Sequence, residues 1–236
     1  METPIRANIT RITENIRKKA LLCGRNADDI KLMAVTKTVA DDRIIEALDA
    51  GITVIGENYV QEALRKKENP ELAQKSAEWH MIGHLQTNKA KYVVRLFDMI
   101  QSVDRLELAV ELDKRSRAIG KITRILIEID TGGEVTKSGV SEEAAIDLIK
   151  AVAPLENLAI EGLMTIPPWF DDPEDARPYF VALRKLKEKI ESAAIPRISM
   201  KELSMGMTDD YLVAIEEGAT IVRIGRGIFG ERAAKY

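Results

Sequence analysis

The sequence predicts a single (β/α)8 barrel, and three observations carry that reading. There are eight short apolar runs, amphipathic segments separate most of them, and no Ser/Gly- or Pro-rich linker divides the 236 residues. The runs are residues 32–36, 53–56, 78–82, 99–102, 124–130, 158–164, 202–204 and 221–224. Several are β-branched and apolar throughout, as strands buried on both faces should be. Strands and helices alternating on this scale fit a closed barrel better than an open doubly wound sheet. A seven-strand or open arrangement is the alternative. The chain, residues 1–236, is read as one domain.

Each helix carries its own signals. A helix over residues 5–22 precedes the first strand. Residues 41–50 place Ile44, Ile45 and Leu48 on one face, with Gly51 as a stop. Residues 104–119 repeat Leu106, Leu108, Ala109 and Leu112 and end at Gly120. Residues 141–151 open on Ser141-Glu142-Glu143-Ala144, an N-cap with acidic residues in the first turn. Residues 175–192 form a long amphipathic helix with Lys and Glu on the wet face.

Composition narrows the function classes. A formal charge of −3 argues against a general nucleic-acid binder. The single cysteine, Cys23, cannot make an internal disulfide, which fits a reducing compartment. It follows Ala20-Leu21-Leu22, so a buried structural thiol is expected. With no signal-like apolar run at the N-terminus and no membrane-length apolar stretch, a cytoplasmic protein is expected.

In a barrel, chemistry belongs at the C-terminal strand ends. The first strand ends in Thr36-Lys37-Thr38. A Schiff-base lysine must be unprotonated to attack a carbonyl, and partial burial favours that form. Taken alone, a strand-end lysine more often turns to solvent. The last two strands supply the complement. Ser204-Met205-Gly206-Met207-Thr208-Asp209 is a Gly- and hydroxyl-bearing turn before a helix that Thr208 or Asp209 would cap, and Arg223-Ile224-Gly225-Arg226-Gly227 leaves the final strand through two glycines. Such loops commonly bind phosphate through backbone N–H groups, with Arg223 as a fixed charge if it points inward. The eighth strand pairs with the first in a closed barrel, so amine and anion site are neighbours.

The other strand ends are polar. Gly56-Glu57-Asn58-Tyr59 follows the second strand. His80 and His84, the only two histidines, flank the end of the third. Their spacing suits zinc on a helix, but the segment reads as strand and loop, so hydrogen bonding or ligand binding at the mouth is the better reading. Residues 128–139 form a polar, glycine-rich loop carrying Lys137, which offers a second amine or a solvated charge.

These motifs resemble the pyridoxal phosphate homeostasis proteins (YggS/PROSC-like). The resemblance runs from Leu32 to Glu231 through Ala34-Val35-Thr36-Lys37, Gly56-Glu57-Asn58-Tyr59-Val60-Gln61-Glu62 and the segment Trp79 to Lys89. It continues through Lys137-Ser138-Gly139, Gly162-Leu163-Met164-Thr165-Ile166-Pro167, Leu203-Ser204-Met205-Gly206-Met207-Thr208 and Val222-Arg223-Ile224-Gly225. It implies a barrel of the alanine racemase N-terminal type, with pyridoxal 5′-phosphate held as a Schiff base on Lys37. It implies that Ser204, Gly225, Arg226 and Thr208 hold the phosphate through amides and hydroxyls. Arg223 is implied near the cofactor, its partner (phosphate or pyridine nitrogen) left open. Lys137 matches a loop lysine implied as a transient second acceptor, and Asn58, His84 and Met205 are taken as further cofactor contacts. The Glu128-Ile129-Asp130-Thr131 segment and Thr208 depart mildly from the usual pattern, which touches fine ligand contacts only.

A carrier is expected rather than an enzyme. Racemases of the related barrel take a base from a second domain, and this chain ends at Tyr236, directly after the barrel. An arginine at the pyridine nitrogen would also weaken the electron sink. The expected role is control of free pyridoxal phosphate by a monomer that hands it transiently to apoenzymes. The alternatives are a weak amino-acid racemase, with Tyr59 or Lys137 as base, and a class I aldolase.

Overall fold

The computed structural model describes residues 3–132 and 138–231. Its strands are β1 (Lys31–Val35), β2 (Val54–Glu57), β3 (Glu78–Met81), β4 (Met99–Val103), β5 (Thr123–Asp130), β6 (Val140–Ser141), β7 (Leu158–Met164), β8 (Glu202–Ser204) and β9 (Ile221–Ile224). All pairings are parallel, and eight strands close a ring in which β1 pairs with β9 and β4 with β5. The eight predicted runs match these strands to within one residue at either end. Only β6 was not anticipated. It pairs with the end of β5, Ile129 opposite Val140, and is too short to show a periodicity.

Alternation along each strand splits the apolar residues into two populations. Ala34, Ile55, Ile100, Ile127, Leu163 and Val222 join the main core, which the helices share. Met33, Val54, Ile82 and Ile221 form a separate cluster, and Met99, Leu126 and Met164 another, and these fill the lumen. Gly56 makes room for that filling, since a Cβ there would lie 2.6 Å from Met33 Sδ. In β7 the register slips by one residue between Ile160 and Gly162. That bulge turns Leu163 outward and Met164 inward, so Thr165 leaves the strand at the mouth.

The first helix (Pro4–Leu22) buries Ile5, Ile9, Ile12, Ile16 and Ala20, one helical stripe laid against the helices after β8 and β9. Leu21 and Leu22 fall off that stripe and are about four-fifths exposed. Cys23 is therefore only half-buried, which corrects the expected buried thiol. Ser141 caps its helix (Glu142–Val152) as expected, accepting Ala144 N–H. The predicted helix over 175–192 begins instead as a 3₁₀ turn (Pro173–Ala176) capped by Asp172, and turns α-helical over Arg177–Ser192. Three short helices, Val60–Lys67, Pro70–Gln74 and Ala90–Leu96, were not read from the sequence. Among the described residues no helix is long and apolar enough to cross a membrane.

Candidate functional site

The strand that places Met33 and Val35 in the lumen carries Lys37 to its mouth, two residues further on. The ladder continues past β1, with Thr36 N–H donating to Gly56 O at 3.0 Å. Thr36 is fully buried and turned the other way, its hydroxyl donating to Glu57 Oε1 at 2.5 Å. Lys37 itself is half-buried.

Beside it stand the two loops that follow β9 and, one strand further, β8. Ala34 is in register with Ile224, and a Cβ on Gly225 would lie 3.5 Å from Val35 Cβ. The predicted adjacency of amine and glycine turn is present. Gly225 occupies the N-cap position of a four-residue helix (Arg226–Phe229). The opening N–H groups of a helix have no partner within it, so Gly225 and Arg226 present donors here. Thr208 joins the two loops, its hydroxyl accepting Gly227 N–H at 3.2 Å. Neither Thr208 nor Asp209 caps the helix after β8 (Tyr211–Glu216). Asp210 holds that position, and its carboxylate accepts Met207 N–H at 2.5 Å. The Arg226 guanidinium pairs with Asp209 and with Glu231, so what Arg226 brings to the mouth is its backbone.

Beneath the mouth a hydrogen-bonded chain crosses the lumen. Arg223 donates from Nη2 to Thr165 O at 2.7 Å and from Nη1 to Ser204 Oγ at 2.8 Å. Ser204 passes its single proton to Gln101 Oε1 at 2.7 Å. Gln101 Nε2 reaches His80 Nδ1 at 2.9 Å, which leaves His80 Nε2–H to donate to Glu78 at 3.0 Å. Burial pushes the His80 pKa down, so the ring is neutral, while its hydrogen bond helps hold the Glu78 carboxyl down to about 2. Burial lowers Arg223 to about 10, against the pull of Asp210 and Glu128, and it remains a cation at neutral pH. Among the described residues no carboxylate is hydrogen-bonded to it.

Two buried oxygens near this mouth lack partners among the described residues, Asn58 Oδ1 and Glu128 Oε2. Burial raises the Glu128 pKa to about 7, although Ser138 donates to its other oxygen at 3.1 Å.

The other predicted residues divide. Met205 packs in the outer core and its N–H is used by Ile221 O, so its side chain faces away from the mouth. His84 is exposed, with Nδ1 3.7 Å from Asp104 Oδ2, and is well separated in role from the lumen residue His80. Tyr59 is exposed at the N-cap of Val60–Lys67. Lys137 lies outside the described residues. Gln101, Glu128 and Lys66 were missed as site residues, although a Gln or Glu inside an otherwise apolar strand was a usable signal. Among the described residues no group of three His, Cys, Asp or Glu side chains suits a metal ion.

The donor set suits one class of small molecule. An amine stands at a strand end, paired loops offer N–H groups beside it, a buried cation lacks a bonded carboxylate, and two acceptors are unfilled. A carbonyl compound bearing an anionic group and further polar substituents matches that arrangement.

Comparison with known proteins agrees. The family model described as alanine racemase, N-terminal domain, matches residues 7–233. The chain is 45% identical over 224 residues to the pyridoxal phosphate homeostasis protein of Aquifex aeolicus, covering 95% of this chain and 96% of that one. It is similar to the structure of PipY from Synechococcus elongatus with pyridoxal phosphate bound, at 31% identity and a TM-score of 0.79, covering 91% of this chain and 100% of the other. An alanine racemase of Clostridium difficile shares the fold at 16% identity and a TM-score of 0.70, over 98% of this chain and 57% of that enzyme.

Proposed function

The chain belongs to the pyridoxal phosphate homeostasis family, built on the alanine racemase N-terminal barrel, and from that premise we propose that it binds pyridoxal 5′-phosphate and buffers its free concentration. The cofactor supplies an aldehyde that condenses reversibly with amines. Lys37 is the amine that holds it as a Schiff base. The N–H groups of Gly225 and Arg226, with Thr208, receive the phosphate. Arg223 is the buried cation that the cofactor faces, and Ser204 serves by holding Arg223, since its proton is committed to Gln101. Asn58 Oδ1 and Glu128 Oε2 are the open acceptors for the remaining polar groups. His84 borders the site, the Met205 side chain takes no part in it, and Lys137, outside the described residues, is the second amine of this reading.

The observation that carries this reading is the register of β1 against β9, which sets Lys37 beside the Gly225 turn. Retention rather than turnover is supported by Arg223, because a lasting cation disfavours a protonated ring nitrogen and the electron sink it would provide. The recipients are apoenzymes that use the cofactor, and the carrier acts as a cytoplasmic monomer.

Purified protein mixed with pyridoxal phosphate should develop the visible absorbance of a Schiff base, and borohydride should fix the label on Lys37. Lys37→Ala should abolish both. Colour retained in that variant would overturn the assignment. One observation favours a second reading, a weak amino-acid racemase, since Glu128 is a buried carboxyl poised near neutral pH. Turnover of a panel of L-amino acids well above buffer controls would favour it.

A further inference from the structure

Lys37 is joined to its neighbours by two peptide groups, and one cluster behind the barrel wall, buried at Lys66 and Glu57 and partly exposed at Glu62, holds both. The carbonyl of the first peptide, Thr36 O, accepts from Lys66 Nζ at 2.6 Å. The N–H of the second, at Thr38, donates to Glu62 Oε1 at 2.7 Å. Lys66 and Glu62 are themselves paired at 2.8 Å, one helical turn apart. Glu57 closes the cluster, 2.6 Å from Lys66 Nζ, and also accepts the Thr36 hydroxyl. The Lys66 and Glu57 side chains are wholly buried. Thr38 has a φ of 62°, a costly conformation for a β-branched residue that surrounding contacts must enforce.

Resting on the reading of Lys37 as the Schiff-base residue, we propose that Lys66, Glu57 and Glu62 form a positioning cluster. Lys66 clamps the peptide before Lys37 and Glu62 the peptide after it, which sets the angle at which the Lys37 stem enters the mouth. Both bonds fall on the peptides that flank Lys37, so the cluster fixes the backbone on either side of it. Lys66 is not a second acceptor for the cofactor, because it is sealed between the barrel wall and the Val60–Lys67 helix.

Glu62 is the residue to test, since it is partly exposed and its loss leaves Lys66 paired with Glu57. In Glu62→Ala the pyridoxal phosphate concentration for half-maximal colour should rise about tenfold, the scale of one charge-assisted hydrogen bond. The pH at which the colour titrates should move as well. Glu62→Gln, which keeps an acceptor for Thr38 N–H, should recover most of the affinity. In cofactor-free protein, amide hydrogen exchange at Thr38 should quicken in Glu62→Ala and less so in Glu62→Gln. A folded Glu62→Ala with wild-type half-saturation and slow exchange at Thr38 would overturn the proposal, and so would borohydride labelling of Lys66. If the wild-type protein takes no label on Lys37, the cofactor reading fails instead, and exchange at Thr38 still judges the cluster.

Discussion

Lys66, behind the barrel wall, and Arg223, in the lumen, are both buried basic side chains, yet their surroundings differ in kind. Lys66 meets two carboxylates and a carbonyl, all within 2.8 Å. Arg223 meets a hydroxyl and a carbonyl, with its carboxylates, Asp210 and Glu128, acting only at longer range. The desolvation cost of a buried charge is offset only when a counter-charge sits in good geometry. Lys66 has that offset inside the protein. Arg223 lacks it, and an anionic ligand would complete it. Folding compensates the Lys66 cation, although Glu57 Oε2 stays without a partner among the described residues, whereas the Arg223 cation is left for binding to compensate.

This difference is open to direct attack. Lys66→Met leaves Glu57 buried beside an apolar group, and breaking one partner of a buried pair costs about 3–5 kcal/mol. Chemical denaturation should show a loss of that size. Arg223→Met removes two hydrogen bonds but also an incompletely compensated guanidinium, so the empty protein should lose much less stability. Its affinity for pyridoxal phosphate should instead fall about a hundredfold, roughly 2.7 kcal/mol. If Arg223→Met destabilised the empty protein as much as Lys66→Met, the contrast would collapse. If it bound cofactor normally, Arg223 would be a structural residue.

The same contrast shows what the sequence discloses and what it withholds. The strands were legible because runs such as Ile125-Leu126-Ile127 have no other plausible use, and the first helix because Ile5, Ile9, Ile12 and Ile16 share one stripe. Lys37, Ser204, Thr208 and Gly225 were legible because each sits at a strand exit, where barrels keep their chemistry. Lys66 was not, since it lies in a row with Arg65 and Lys67 and only packing against Glu57 singles it out. Gln101 and Glu128 stand out as polar residues in apolar strands, but the side of the wall that each faces was hidden. Strands buried on both faces show no alternation in polarity, so inward and outward positions look alike until neighbouring strands fix the register. The roles of Ser204 and Met205 were blurred likewise, because adjacent residues face opposite sides of the wall.

Glu128 gives the finest test of the idea that the lumen awaits a ligand. Its pKa is raised from 4.5 to about 7, chiefly by burial, so the folded protein binds this proton more tightly than the unfolded chain. The sign follows from linkage: the contribution to stability is complete below the unfolded value and is lost as pH rises through about 7. In the empty protein the loss should be about 3 kcal/mol. Glu128→Gln, permanently neutral and of similar shape, should flatten that stretch of the stability profile. An anionic cofactor bound nearby would raise the Glu128 pKa further, so binding should take up a proton near neutral pH and weaken as pH increases. Calorimetry in buffers of different ionisation enthalpy would count that proton. Uptake in the wild type that vanishes in Glu128→Gln would place Glu128 against the ligand, whereas equal uptake in both would assign the proton elsewhere and leave Glu128 as part of the lumen packing.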